Sequence, residues 1–197
     1  MTLFQSITIG SLTIRNRIVM PPMATLYGAP DGSVSSQLYE YYNRRARGGV
    51  GLVIVENTAV TSGSVNYPNT LEIHNARYEE GLTWLAEGIK STGAGAAIQL
   101  FHPGRQMHPK YTGNSLVAPS VIPCPVMKAV PSELSGAEIG QLVTDFVEGA
   151  VRAKQVGFDA VEIHAAHGYL GAQFLSPLSN HRTDAYGGSS ERRARFV

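Results

Sequence analysis

Val50-Gly51-Leu52-Val53-Ile54-Val55-Glu56 is an apolar, largely β-branched run that closes on a single acid. It lacks polar–apolar alternation, so it reads as a strand covered on both faces, as strands of parallel sheets are. Outward from its C-terminal side, residues 76–92 place Ala76, Leu82, Leu85, Ala86 and Ile89 roughly on one helical face. Ala94–Leu100 then forms another buried strand. A strand, a helix and a parallel strand make the repeating unit of α/β folds. On the N-terminal side, polar Ser36–Arg47 reads as a helix closed by Gly48-Gly49. Before it, Arg17-Ile18-Val19-Met20 is a strand stopped by Pro21-Pro22. Farther out, Ser6–Ile9 and Leu12–Ile14 flank Gly10-Ser11 as a hairpin. Toward the C-terminus, Ser135-Gly136-Ala137-Glu138 has capping-box spacing and opens a helix to about Gln155. Gly157 ends that helix, and Phe158–His164 is the last strand. Glu191–Val197 looks like the first turns of one more helix.

The composition narrows the function classes. In 197 residues there are 16 Lys and Arg against 15 Asp and Glu, a net charge of +1. That balance supplies no basic footprint for nucleic acid and no polybasic patch for a membrane. Cys124 is the single cysteine, which excludes an internal disulfide framework and a cysteine-rich zinc or iron–sulfur site within this sequence, and fits a reducing compartment. No apolar run approaches the roughly 20 residues of a membrane span, and the start lacks the charged and apolar segments of a signal peptide. The expectation is a cytoplasmic, single-domain α/β protein with a small-molecule substrate. Long loops are expected over 56–75 and 101–134, on the side of the sheet where α/β folds carry their sites.

The densest cluster of reactive side chains is Glu162-Ile163-His164-Ala165-Ala166-His167-Gly168-Tyr169-Leu170. Strand alternation puts Glu162 and His164 on one face and Val161 and Ile163 on the other. His164 and His167 can donate hydrogen bonds to a substrate oxygen, and Tyr169 can deliver a proton. The His-x-x-His spacing also suits a metal, although no third ligand is obvious nearby. A third reading has these polar groups only satisfying loop backbone. Pro21-Pro22-Met23-Ala24 makes a rigid ledge on which a planar ring can lie. Gln99 at a strand end offers a donor and an acceptor, or else is a satisfied core glutamine. Arg105 binds an anion or pins its loop. Residues 175–188 read as an elaborate turn. Gly48-Gly49-Val50-Gly51 precedes a strand, the wrong context for a dinucleotide fingerprint.

Taken jointly, Asn16–Met23, Gly51–Glu56, Gln99-Leu100-x-His102-x-Gly104-Arg105, His164–Leu170 and Leu175–Gly188 resemble the old yellow enzyme family. These are FMN-dependent ene-reductases and related NADH:flavin oxidoreductases built on a (β/α)8 TIM barrel. The resemblance covers essentially the whole chain and implies about the first four βα units of the barrel plus an N-terminal hairpin. It implies that Pro22, Met23 and Ala24 lie beneath the flavin and that Asn57, just past its strand, falls where the family has a small residue near the flavin. Gln99 would pair with the pyrimidine edge. His164 and His167 would hold the carbonyl oxygen of an electron-poor alkene, with Tyr169 as proton donor and Tyr27 as a further substrate-side candidate. NAD(P)H would be the hydride donor. Ala24 stands where some branches carry Thr or Cys. Larger members append an iron–sulfur and FAD region after the barrel, outside this sequence, and the family's FMN phosphate site lies in the second half of the barrel. The isolated chain is therefore expected to be inactive, with open strand edges that invite a homo-oligomer. Two alternatives stand beside this one: a metal-dependent barrel enzyme using His164 and His167, and a non-catalytic half-barrel that serves only in assembly.

Overall fold

A computed structural model describes residues 2–107 and 116–197. Of the loop expected over 101–134, residues 108–115 lie outside the described residues. The chain opens with the hairpin of β1 (Ile7–Ile9) and β2 (Leu12–Ile14), in antiparallel register from Ile7↔Ile14 to Ile9↔Leu12. β3 (Val19–Met20) stops at the two prolines, as expected. Then come α1 (Ser36–Arg47), β4 (Leu52–Ala59), β5 (Leu71–Glu72), and a 3-10 turn (Ala76–Tyr78) leading into α2 (Glu79–Ser91). β6 (Gly95–Phe101), β7 (Val117–Ala118), β8 (Ser132–Glu133) and α3 (Gly136–Gln155) follow. The last elements are β9 (Ala160–Ile163), α4 (Leu170–Leu175), α5 (Ser190–Arg193) and a 3-10 turn (Ala194–Phe196). The expected capping box is formed: Ser135 Oγ accepts from the Glu138 N–H at 3.2 Å and Glu138 Oε2 accepts from the Ser135 N–H at 2.7 Å. After α3, Gly157 takes φ +97°, a conformation that turns the chain back toward the sheet and that side chains disfavour.

β3, β4, β6 and β9 lie side by side in chain order and all run parallel, with Val19↔Leu52, Leu52↔Gly95 and Gln99↔Glu162 as neighbours. A helix-bearing connection separates each strand from the next, which is the wall of a (β/α) barrel over its first units. Outside this wall, α1, α2 and α3 pack Leu38, Tyr42, Leu82, Leu85, Ile89 and Ala153 against Val53, Val55, Ile98 and Leu100. At the N-terminal end of the strands the hairpin closes the structure, Ile14 packing with Leu52 and Ala97, and Ile7, Leu12 and Ile54 around them. A smaller cluster of Leu134, Ile139, Leu142, Leu170 and Phe174 ties α3 to α4. Among the described residues no helix is long and apolar enough to cross a membrane.

Two details differ from the sequence reading. β4 runs three residues past Glu56, so Asn57 lies inside it rather than just past it. A register shift between Val55 and Thr58 lets Thr58 and Ala59 pair with β5 on one side and β6 on the other. A partner strand of only two residues leaves no periodic signal in a sequence. The other difference is β9, which reads as covered on both faces but leaves Val161 and Ile163 exposed. Among the described residues β6 alone pairs with it, and an edge strand loses cover on its outer side.

Candidate active site

Parallel strands deliver all their C-terminal ends to one side. There the ledge Pro21–Ala24 follows β3, Gln99 lies near the end of β6, Glu162 lies in β9, and His164, His167 and Tyr169 come just after. Between them opens a cavity of about 550 Å³, lined by Pro21, Pro22, Met23, Gln99, Glu162 and the segment from Ile163 to His167. Among the described residues its lining contains no Lys or Arg.

The ledge is open above and pinned below. Met23 is 62% exposed, and Ala24 is exposed beside it. Beneath them Glu56, buried in β4, accepts hydrogen bonds from the Thr25 N–H at 3.1 Å and the Tyr42 hydroxyl at 3.1 Å. Its own N–H donates to Tyr42 Oη at 2.8 Å. Burial pushes the Glu56 carboxyl above the usual carboxylate range, and these hydrogen bonds oppose the shift. Across the cleft, Gln99 and Glu162 are register neighbours, and Gln99 Nε2 donates to Glu162 Oε1 at 2.5 Å. That contact fixes which end of the Gln99 amide is which. The amide's carbonyl oxygen and second N–H are the groups with which it can meet a ring edge.

The two histidines are linked. His164 Nε2 and His167 Nδ1 lie 3.3 Å apart with rings edge to face, while His164 Nδ1 accepts from the Ala166 N–H at 3.3 Å. Acceptance at Nδ1 assigns the His164 proton to Nε2. Burial, and then the neighbouring His167, pulls the His164 pKa down to about 4, so the ring is a neutral N–H donor near neutral pH. His167 is exposed and takes φ +53°. The loop can turn this tightly because Gly171 carries no side chain; a Cβ there would sit 2.9 Å from Ala165 Cα. Tyr169 stands edge-on to His164, with ring centroids 4.9 Å apart, and edge-on to Phe101 at 5.3 Å. Its phenol pKa is raised, chiefly by burial and then by Tyr67, against an opposing hydrogen bond from Asn66.

The remaining sequence candidates fall elsewhere. Asn57 is buried in β4, its Nδ2 3.4 Å from Asn66 Oδ1. Tyr27 sets its ring edge-on to Tyr41 of α1 and is not among the residues that line the cavity. Arg105 pins its loop, donating to the carbonyl oxygens of Ile122 at 2.7 Å and Pro123 at 3.2 Å. His102 is fully enclosed, with Nε2 2.9 Å from Ser64 Oγ and Nδ1 accepting from the Gly104 N–H. Residues 175–188 form a turn organised by buried Arg182, which donates to the carbonyl oxygens of Pro119 and Leu134 and to Asp184. Among the described residues no third His, Cys, Asp or Glu joins His164 and His167 in a group that could hold a metal. Glu56, Asn66 and the pairing of Glu162 with Gln99 were not anticipated. Only the shared face of Glu162 and His164 hinted at the last.

This chain matches the model of the NADH:flavin oxidoreductase / NADH oxidase family over residues 2–197. It is 49% identical over 201 residues to an NADH oxidase of Thermoanaerobacter brockii, covering 98% of this chain and 30% of that protein. To an NADPH dehydrogenase of Bacillus subtilis it is 44% identical over 197 residues, covering 99% of this chain and 57% of that one. Among solved structures, a morphinone reductase superposes with a TM-score of 0.91 at 34% identity, over 98% of this chain and 56% of its own. The chain thus spans between about a third and somewhat over half of the length of these relatives. Match, relatives and barrel wall agree, and the chain belongs to the NADH:flavin oxidoreductase / NADH oxidase family.

Proposed function

We propose that this chain forms the substrate-side wall of an FMN-dependent oxidoreductase that takes hydride from NAD(P)H and reduces the activated C=C bond of an α,β-unsaturated carbonyl compound. One observation carries the reading: an amide–carboxylate pair and a linked imidazole pair line one cleft beside a proline ledge, and a phenol stands edge-on to the first imidazole. An isoalloxazine suits this set, with an apolar face for Pro22, Met23 and Ala24 and a pyrimidine edge whose donors and acceptors Gln99 can match. Asn57 would stand near the ring through β4. Bound FMN would supply the relay of hydride from NAD(P)H to the substrate β-carbon.

The side chains do the rest. His164 and His167 hold the carbonyl oxygen, where negative charge accumulates as the β-carbon gains hydride. Donors fixed at that oxygen favour the transition state over the ground state. For this the His164 Nε2–H would turn from His167 Nδ1, 3.3 Å away, to the substrate oxygen, and the neutral ring donates without giving up its proton. Tyr169 then gives its phenolic proton to the α-carbon. Tyr27 is assigned to the outer rim of the substrate site. The cleft offers the ring a seat and, with no Lys or Arg among the described residues that line it, offers the FMN phosphate no counter-charge there. By the same reading these 197 residues on their own do not turn over.

The test uses this chain joined to a second half-barrel that carries a phosphate site: FMN reconstitution is followed in the flavin visible band, then anaerobic reduction by NAD(P)H and reoxidation by a cyclic enone. Tyr169→Phe is expected to slow reoxidation by about 100-fold or more and to leave reduction by NAD(P)H unchanged. Equal reoxidation would remove Tyr169 from the role, and a colourless protein holding stoichiometric zinc would sink the flavin reading. NAD(P)H oxidation by the 197 residues alone would overturn the statement about turnover.

A further inference from the structure

A buried polar chain outside the assigned residues leads to Tyr169. Asn66, on the connection between β4 and β5, is 2% exposed, and its Nδ2 donates to Tyr169 Oη at 2.6 Å across 103 positions of sequence. Its Oδ1 lies 3.4 Å from Asn57 Nδ2 and 3.2 Å from Thr70 Oγ1, whose single proton is shared between that oxygen and the Tyr67 carbonyl oxygen at 2.8 Å. Asn57 and Thr70 are buried as well. With Oδ1 toward Asn57 and Thr70, the Asn66 amide turns its donor to the phenol. A phenol O–H prefers the plane of its ring, which allows two settings.

We propose that Asn66 is a positioning residue that aims the Tyr169 proton: its N–H occupies one in-plane lone pair of the phenol oxygen and turns the O–H to the other side. The same N–H stabilises the phenolate left when the O–H bond breaks, its proton goes to the substrate α-carbon and its electron pair stays on Oη; solvent later restores the proton. This inference rests on the reading of Tyr169 as proton donor and names the group that directs it. A loop merely tied to α4 by the same contact would need no donor on Asn66, only a bond of either polarity.

The difference is measurable without turnover. In protein labelled with [ζ-13C]tyrosine, the Tyr169 signal, assigned by Tyr169→Phe, is titrated by NMR while the other tyrosine signals report the fold. Asn66→Leu is expected to raise the Tyr169 titration by about one pH unit, and isosteric Asn66→Asp, which accepts where Asn66 donates, by more than about two. Asn66→Gln, which restores a donor, is expected to bring it back toward the parent. In the same FMN-loaded, completed barrel, Asn66→Leu and Asn66→Asp should slow reoxidation by enone at least about fivefold with enone affinity and NAD(P)H reduction unchanged. Titration at the parent pH in both Leu and Asp variants overturns the proposal whatever Tyr169→Phe does. Moved titration together with full reoxidation by Tyr169→Phe supports the Asn66–Tyr169 coupling and sinks the donor reading instead.

Discussion

The two ends of the same four strands are built on opposite chemistry. At the N-terminal end the hairpin lays Ile7, Leu12 and Ile14 on Leu52, Ile54 and Ala97, and burial there withdraws apolar surface from water. A few residues further along the same strands, the buried side chains include the polar Glu56, Asn57, Thr58, Gln99, His102 and His164 among apolar neighbours such as Leu100 and Phe101. Burial at this end strips water from polar groups, which must then find one another. Gln99 finds Glu162, Glu56 finds Thr25 and Tyr42, and Asn66 finds Tyr169. Each such pair sets the direction of a donor or acceptor, which an apolar contact cannot do. One end supplies stability, and the other supplies orientation at some expense of it.

Truncating the closed end tests that contrast most severely. Ile14→Ala is expected to lower unfolding stability by about 2–4 kcal/mol in urea titrations, with the histidine and tyrosine NMR signals of the cleft unmoved. A shift of those signals would mean that the two ends are not independent. Acid is the next lever. Enclosure pushes the His102 pKa down to about 4, against an unfolded value near 6.5. Between those values the unfolded chain binds more protons than the folded one, so stability falls as pH drops from about 6.5 toward about 4. His102→Gln should flatten that slope by on the order of 2 kcal/mol, read as melting temperature against pH. His164 carries the same sign with a smaller effect, being less enclosed. The smallest change sharpens the other side: Glu162→Gln should weaken lumiflavin binding about 3–10-fold, as a charge-assisted bond becomes a neutral one, with the unfolding midpoint unchanged. A midpoint that moved as far as in Ile14→Ala would make Glu162 a stability residue and break the comparison.

What was legible in the sequence follows the range of the forces. The hairpin, α1, α3 with its capping box, and the stop at Gly157 all declare themselves through residues within one turn of each other. β4 and β6 show themselves as unbroken apolar runs. The C-terminal extension of β4 depends on β5, whose two residues carry no pattern, and so Asn57 was misplaced by the local reading. The ledge, the histidines and Tyr169 were visible as a cluster, since they crowd into short stretches. Their supports were hidden, because Glu56 reaches Thr25 across 31 positions and Asn66 reaches Tyr169 across 103. No periodicity over a few residues encodes contacts made at that separation.

His167 holds a left-handed backbone that glycine would adopt at less cost, on the order of 1 kcal/mol per residue. Laboratory evolution would feel that tension directly. Libraries screened only for heat tolerance will drift toward glycine or asparagine at this position, and, on the role proposed for His167, libraries of the completed barrel screened for turnover will hold the histidine. The loop after β9 is therefore a place where two selection regimes would leave different sequences.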